Sequence, residues 1–286
     1  MDNREPTSLH NPLVEQADAS VGAMLRSLYR NRILIMRMAR RDLEARFRGS
    51  RLGVTWIVLQ PVLMLVVYTF AFGVVLKAKW GQDTSDSPWE YALFLFTGLL
   101  VFNVFSEVVT RAPTLMLENV SYIKNILFPT EIIVANSIVV ALFNFFVGFA
   151  ILMILYVSVR GVPPVTTLLI LLPLAPLVLF TMGLAWFLAA LGVYLRDLRQ
   201  IVTILITAIM FLCPLFYPLS ALPDGIRSVI ALNPLASIIE TMRDLVFFGR
   251  LPQWQSYTVG FIASAIVAWL GYAWFIKTRR GFSDVV

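Results

Sequence analysis

The residues able to do chemistry in this chain are mostly arginines, and they cluster. Arg26 to Arg51 holds nine arginines against Asp42 and Glu44, in a chain whose net charge is +6, so the remainder is close to neutral. A guanidinium presents paired N–H donors in a fixed fork that matches phosphate oxygens. Two phosphate-bearing partners are open to such a stretch, nucleic acid and the headgroups of anionic lipid. The stretch runs directly into an apolar segment beginning at Leu52, which favours the membrane over nucleic acid. Arg46, Arg48 and Arg51 stand where the two meet. They are candidates for contact with a phosphate-bearing substrate at the membrane edge, the alternative being that they snorkel to headgroups as topology anchors.

Other chemistry finds few residues to work with. His10 is the sole histidine and lies in a polar leader, which leaves no histidine metal site and no histidine general base. None of the four lysines follows a glycine in a G-K-[ST] phosphate loop, and no D-x-D pair is present for a metal-bound sugar nucleotide. Cys213 is the only cysteine, so no internal disulfide forms, and its apolar setting marks it as packing. No catalytic, cofactor-binding or metal-ligating residue is nominated. The first 24 residues are polar, without an apolar core after a basic start, and are expected to be a flexible cytoplasmic tail rather than a cleavable signal.

The elements that must position the arginines are apolar. Hydrophobic residues make up 59% of the 286, and uncharged runs cover Leu52–Leu76, Tyr91–Ser106, Ile132–Val159, Gly161–Leu195, Gln200–Pro223 and Leu251–Ile276. A spanning helix needs about 20 mostly apolar residues, which all but the second run meet outright. The fold expected is an all-α polytopic membrane protein with six spans, at about 52–76, 91–109, 132–159, 164–195, 200–222 and 251–276. The basic stretch sets the first loop inside, and Lys277, Arg279 and Arg280 after the last run match it. Both termini are therefore expected in the cytoplasm. The middles of the runs lack Asp, Glu, Lys and Arg, which disfavours an ion-driven carrier and requires energy from a partner.

Three pieces are not ordinary spans. Residues 25–50 read as an amphipathic helix in the interface, with Leu25, Leu28, Ile35, Met36, Ala39, Leu43 and Phe47 on one side. Residues 113–126 read as a short helix able to dock a soluble partner, or else as a capped interfacial turn. Residues 224–249 are too short in apolar run to cross and are broken at Asn233-Pro234. They are expected to form external re-entrant helices, with Glu240 and Arg243 paired at i,i+3. Structural pairing is one role for that pair and substrate contact another.

Three stretches carry a resemblance: RRDLEARFRGSRLGVTWIVLQPVLMLVVYTFAFGVVL (Arg40–Leu76), LENVSYIKNILFP (Leu117–Pro129) and LNPLASIIETMRDLVFFG (Leu232–Gly249). With them, about residues 25–280 resemble the membrane permease subunit of type-2 ABC exporters, in the polysaccharide branch that moves O-antigen, capsule or teichoic acid. The resemblance implies a homodimer with two copies of a cytoplasmic ABC ATPase, which binds the ATP and magnesium this chain does not. It implies a lipid-linked polysaccharide substrate, most simply O-antigen on undecaprenyl pyrophosphate, and a bacterial inner-membrane location. It implies ATPase coupling through Glu118, Asn119, Tyr122, Ile123 and Lys124, and an exit capped by the segment holding Asn233, Pro234, Glu240 and Arg243. Tyr68, Phe70, Phe72, Phe94, Phe96, Phe102 and Phe105 become candidates to line a channel between two copies, because sugar C–H faces pack on aromatic faces. The bland alternative for each is core or lipid contact. Other functions weighed against this one are a drug or lipid exporter of the same fold, a membrane-bound glycan transferase, and a scaffold without transport.

Overall fold

The computed structural model describes residues 19–46, 52–75, 88–123, 128–219 and 222–282, and every element in them is helical. Long apolar runs coil because a helix satisfies each backbone N–H and C=O within its own segment. In chain order the α-helices are α1 (Val21–Arg30), α2 (Arg32–Arg46), α3 (Trp56–Tyr68), α4 (Pro88–Glu118), α5 (Val120–Ile123), α6 (Ile132–Arg160), α7 (Leu171–Tyr194), α8 (Leu198–Leu212), α9 (Asp224–Ala231), α10 (Pro234–Arg243) and α11 (Trp254–Thr278). Helix α3 runs on as π-helical turns over Thr69–Val75, and α10 as a π-helical turn over Asp244–Phe248 that Gly249 ends at φ +64°. Among the described residues, five segments are long and apolar enough to cross a membrane: Trp56–Val75, Trp89–Glu118, Ile132–Arg160, Val165–Tyr194 and Trp254–Thr278.

The boundaries differ from expectation in four places. The expected span at 200–222 is helical only over Leu198–Leu212, because Pro214 cannot continue a helix and forces Cys213 to extended backbone (φ −94°, ψ 147°). The expected span at 91–109 and docking helix at 113–126 are not separate. Helix α4 runs 31 residues straight through Pro113, with the one-turn α5 after it. The bundle tolerates that proline because α7 packs against it: a Cβ on Gly192 would strike the backbone of Pro113. The interface helix expected over 25–50 is two helices broken at Asn31, whose side-chain amide donates to the Ser27 carbonyl at 2.8 Å. It begins within the expected tail, at Val21, because Ser20 caps α1 by accepting from Ala23 N–H at 3.1 Å.

Helix α4 is the axis of the bundle, with Phe94, Leu95, Val101 and Met116 at or near zero exposure and α6, α7, α8 and α10 against it. Helix α7 reaches α11 through glycine: a Cβ on Gly183 would meet the backbone at Val267, and one on Gly271 would meet Gly183. Small residues at such crossings let spanning helices approach to backbone contact, where packing rather than water exclusion drives association. Helix α3 sits at the rim, with Leu63, Met64, Val66, Val67 and Phe70 exposed and Leu65 buried.

The two ends of the bundle differ. The arginine-rich end gathers α1, α2, α5, the start of α6 and the ends of α4, α7 and α11. The opposite end gathers the start of α4, the end of α6, α10 and the start of α11. The described N- and C-terminal segments both lie at the arginine-rich end, where Ser27 and Arg279 bond the same carboxylate, Glu131.

Candidate functional site

Between α3, α4 and α6 lies a cavity of about 380 Å³. Its wall from α4 carries Asn103, Ser106 and Glu107, its wall from α6 carries Asn144 and Phe145, and its wall from α3 carries Gln60 and Tyr68. At four-residue spacing, Asn103 and Glu107 project from one face of α4, so a single helix face supplies an amide and a carboxylate. Glu107 does not sit alone. Asn144 Nδ2 donates to both its oxygens at 3.2 and 3.0 Å, and Arg46 Nη2 donates to Oε1 at 2.6 Å. Polar side chains within apolar spans are expensive and mark pathways when they face a cavity. The resulting trio links the end of α2 to the interior of two spanning helices.

The same helix α2 makes a second link, to the turn after α4. Arg41 Nη1 donates to the Tyr122 hydroxyl at 2.5 Å and its guanidinium lies 5.7 Å from that ring's centroid. These contacts, first the Tyr122 hydroxyl and then Asp42, raise the Arg41 pKa further. Tyr122 stacks on Phe128 at 4.5 Å, so the turn is braced by an aromatic pair. Asp42 accepts from Asn136 Nδ2 at 2.8 Å, fixing α2 to α6, while Ile35, Met38 and Ala39 form the buried line of α2. Beneath them Glu131 accepts from Ser27 Oγ (2.7 Å) and Arg279 Nη1 (2.9 Å), and its carbonyl accepts from Trp186 Nε1 (3.0 Å). One residue thereby ties α1, the C-terminal turn and α7 to the start of α6.

At the opposite end the organising group is Arg243, with 1% exposure. Its guanidinium donates to the carbonyls of Phe94 (3.1 Å), Pro214 (2.6 Å) and Leu215 (3.2 Å) and to Glu240 (3.0 Å). Burial lowers the Arg243 pKa and raises that of Glu240 against the pull of the arginine. Room for the guanidinium comes from Gly98, where a Cβ would lie 2.6 Å from Nη2. Arg160 and Glu90 form a second ion pair there, with the Arg160 guanidinium 5.6 and 5.5 Å from the centroids of Phe94 and Phe247.

The expected site residues distribute unevenly over this geometry. Arg48, Arg51 and Lys124 lie outside the described residues, as do residues 124–126 of the expected docking helix. Arg46 is partly exposed and pairs with Glu107. Glu118 is spent on its own helix, bonding Arg111 and Thr114, and Asn119 bonds the Leu115 carbonyl, so Tyr122 is the expected coupling residue that reaches another element. The backbone of Ile123 closes α5. Phe94, Phe96, Phe102 and Phe105 are buried within the protomer, so they cannot line an opening between two copies in this conformation; α4 is enclosed by its neighbours. Phe70 is exposed, and Tyr68 and Phe72 are partly so. Of the seven aromatics, Tyr68 and Phe96 face the cavity. Asn233 caps α10 by accepting from Leu235 N–H at 3.0 Å, Pro234 follows at the first helical position, and Glu240 pairs with Arg243 as the spacing requires. Glu107, Asn144, Glu131 and Asn136 join elements at this site and are positions that sequence reasoning does not nominate. The one signal for them is an amide inside an otherwise apolar run, as at Asn103 and Asn144.

The sequence is similar to those of membrane transport proteins along most of its length. The ABC-2 type transporter family matches residues 33–247. The O-antigen export system permease protein RfbA of Myxococcus xanthus is 30% identical over 267 residues, 92% of this chain and 99% of that protein. A protein of the same name from Klebsiella pneumoniae is 26% identical, covering 88% of this chain and 95% of its own length. The polysialic acid transport protein KpsM of Escherichia coli is 22% identical, covering 84% and 91%. With a family match over most of its length and a relative 30% identical along 92% of it, this chain belongs to the ABC-2 type transporter membrane family.

Proposed function

We propose that the chain is the permease of an ATP-driven polysaccharide exporter. Two copies pair with two copies of a separate ABC ATPase and move a lipid-linked glycan outward across the bacterial inner membrane, with both termini in the cytoplasm. O-antigen on undecaprenyl pyrophosphate is the substrate that the relatives' names support best; capsular polysaccharide or teichoic acid is the alternative. The observation that carries the reading is the double attachment of α2. Arg41 holds the Tyr122 turn at the surface, and Arg46, further along the same helix, holds Glu107 at the cavity. Motion imposed on the turn by a partner has a route through α2 into the spans. Exposed α3, with its apolar outer face, is the surface we assign to the second copy and to the lipid.

The test is copurification. An ABC ATPase from the same cell should copurify with this chain, and Tyr122→Asp should weaken that association by about tenfold or more, because it removes the ring that stacks on Phe128 and braces the turn. The purified chain alone should not hydrolyse ATP. Unchanged association and turnover in Tyr122→Asp would remove the coupling role from this turn.

A further inference from the structure

We propose that the cavity between α3, α4 and α6 is a carbohydrate subsite within each protomer, separate from any passage between two copies. The choice of carbohydrate over another neutral polyol rests on the export reading; the site itself does not.

Four features of the cavity point there. First, its volume of about 380 Å³ falls in the range of small-molecule clefts, about 300–1,000 Å³, and accepts a short stretch of glycan. Second, beside the Arg46–Glu107 pair it carries uncharged polar groups that are left over. Gln60, Asn103 and Ser106 line it and hydrogen-bond to no other described residue, while Gln60 and Asn103 are exposed in segments otherwise apolar. A carboxamide offers an acceptor and two donors, which complements hydroxyls that both donate and accept. Such groups left unmatched in a membrane are costly, so a polar occupant is called for. Third, the described residues of the lining carry no net charge. The Glu107 carboxylate is neutralised by Arg46 at 2.6 Å and held by Asn144. A phosphate would meet the carboxylate with no second cation to balance it among the lining residues, whereas a neutral ring would not. Fourth, three aromatic residues stand in its apolar lining, Tyr68 on α3, Phe96 on α4 and Phe145 on α6. Sugar C–H faces pack on rings while hydroxyls take the polar edge.

Arg46 gives the subsite a consequence. Because its partner Glu107 lies in the cavity wall and its helix also holds Tyr122, displacement of α2 withdraws the counter-charge from the subsite. Occupancy and the position of α2 are thereby linked, and reciprocally.

The experiment uses the full chain in nanodiscs and three labelled amphiphiles with the same alkyl tail. These are dodecyl maltoside, a dodecyl glycol ether and dodecylphosphocholine. Saturable binding of the maltoside is expected, with neither other headgroup competing at equal concentration. Gln60→Leu with Asn103→Leu together should lower maltoside binding roughly tenfold, the loss of two net hydrogen bonds. Val67→Ala, on the exposed face of α3, should leave it unchanged. Equal binding of the glycol ether would show tail binding only, and equal competition by phosphocholine would show a lipid-headgroup site; either overturns the proposal. Headgroup discrimination by the unaltered chain decides the matter even where the double variant folds poorly. Failure of ATPase copurification would sink the export reading and leave this result standing, and the converse holds too.

Discussion

Arg243 and Arg41 are both arginines that bind other elements, and the two ends of the molecule use them in opposite ways. Arg243 is enclosed and gives its donors to three backbone carbonyls and one carboxylate. Those carbonyls belong to α4 and to the Cys213–Leu215 corner, so the bond set can change only if backbone moves. Arg41 and Arg46 are half-exposed and bond side chains, Tyr122 and Glu107. Side-chain partners exchange by rotamer change, and exposed ion pairs contribute about 0.2–1 kcal/mol. One end is therefore built to hold a shape and the other to change partners. That is the asymmetry expected of a permease driven from one side.

The largest expected effect is at the fixed end. Arg243→Ala removes one member of a buried network and should destabilise by about 3–5 kcal/mol, read as a lower unfolding midpoint and reduced folded yield. Gly98→Leu should reach a similar outcome by forcing a side chain into the guanidinium's space. If Arg243→Ala melts like the wild type, the two ends are not different in kind.

Next comes the movable end. Arg41→Ala should change stability by less than about 1 kcal/mol, as partly exposed pairs do, yet uncouple ATP turnover from export. A large loss of stability instead would make Arg41 a second Arg243. Arg46→Ala should lower export more than Arg26→Ala or Arg30→Ala at equal expression, since only Arg46 among the three reaches the cavity. Equal effects from all three would reduce the cluster to a membrane anchor.

The smallest expected effect is Glu240→Gln. Burial raises the Glu240 pKa despite Arg243, so the folded chain binds this proton more tightly than the unfolded chain. The group's contribution to stability is therefore present below the ordinary carboxylate pKa and is lost as pH rises from there through the raised one. The Glu240→Gln variant keeps a hydrogen bond to Arg243 and removes that dependence. Its stability should be flatter against pH between those two values, with little change in midpoint; an unaltered pH profile would show that Glu240 does not carry the dependence.

Much of the frame is legible because apolar length, proline and capping act locally. Asn233-Pro234 announces the α9–α10 break, and Glu240 and Arg243 at i,i+3 announce their pair. The α6 and α11 limits lie close to the ends of their uncharged runs. Where local signals conflict with packing, packing decides. Pro113 reads as a helix start, but the close approach of Gly192 carries α4 past it. Apolarity reads through Pro214 and overstates the span that ends at Leu212. The site is harder still. Glu107 and Asn144, Arg41 and Tyr122, and Arg243 and Phe94 are 37, 81 and 149 residues apart, and no spacing rule joins them. Aromatic content in α4 suggests a channel wall, but nothing in one sequence distinguishes a ring packed against α6 and α7 from one facing an opening.

The central claim, that this chain is a permease worked from its arginine-rich end, is tested most directly by reconstitution. Vesicles containing the full chain and its ATPase, loaded with undecaprenyl-pyrophosphate-linked glycan, should translocate glycan on addition of ATP and magnesium. Arg41→Ala vesicles should hydrolyse ATP with export strongly reduced. Translocation at the same rate without ATP, or none with an active and associated ATPase, would contradict it.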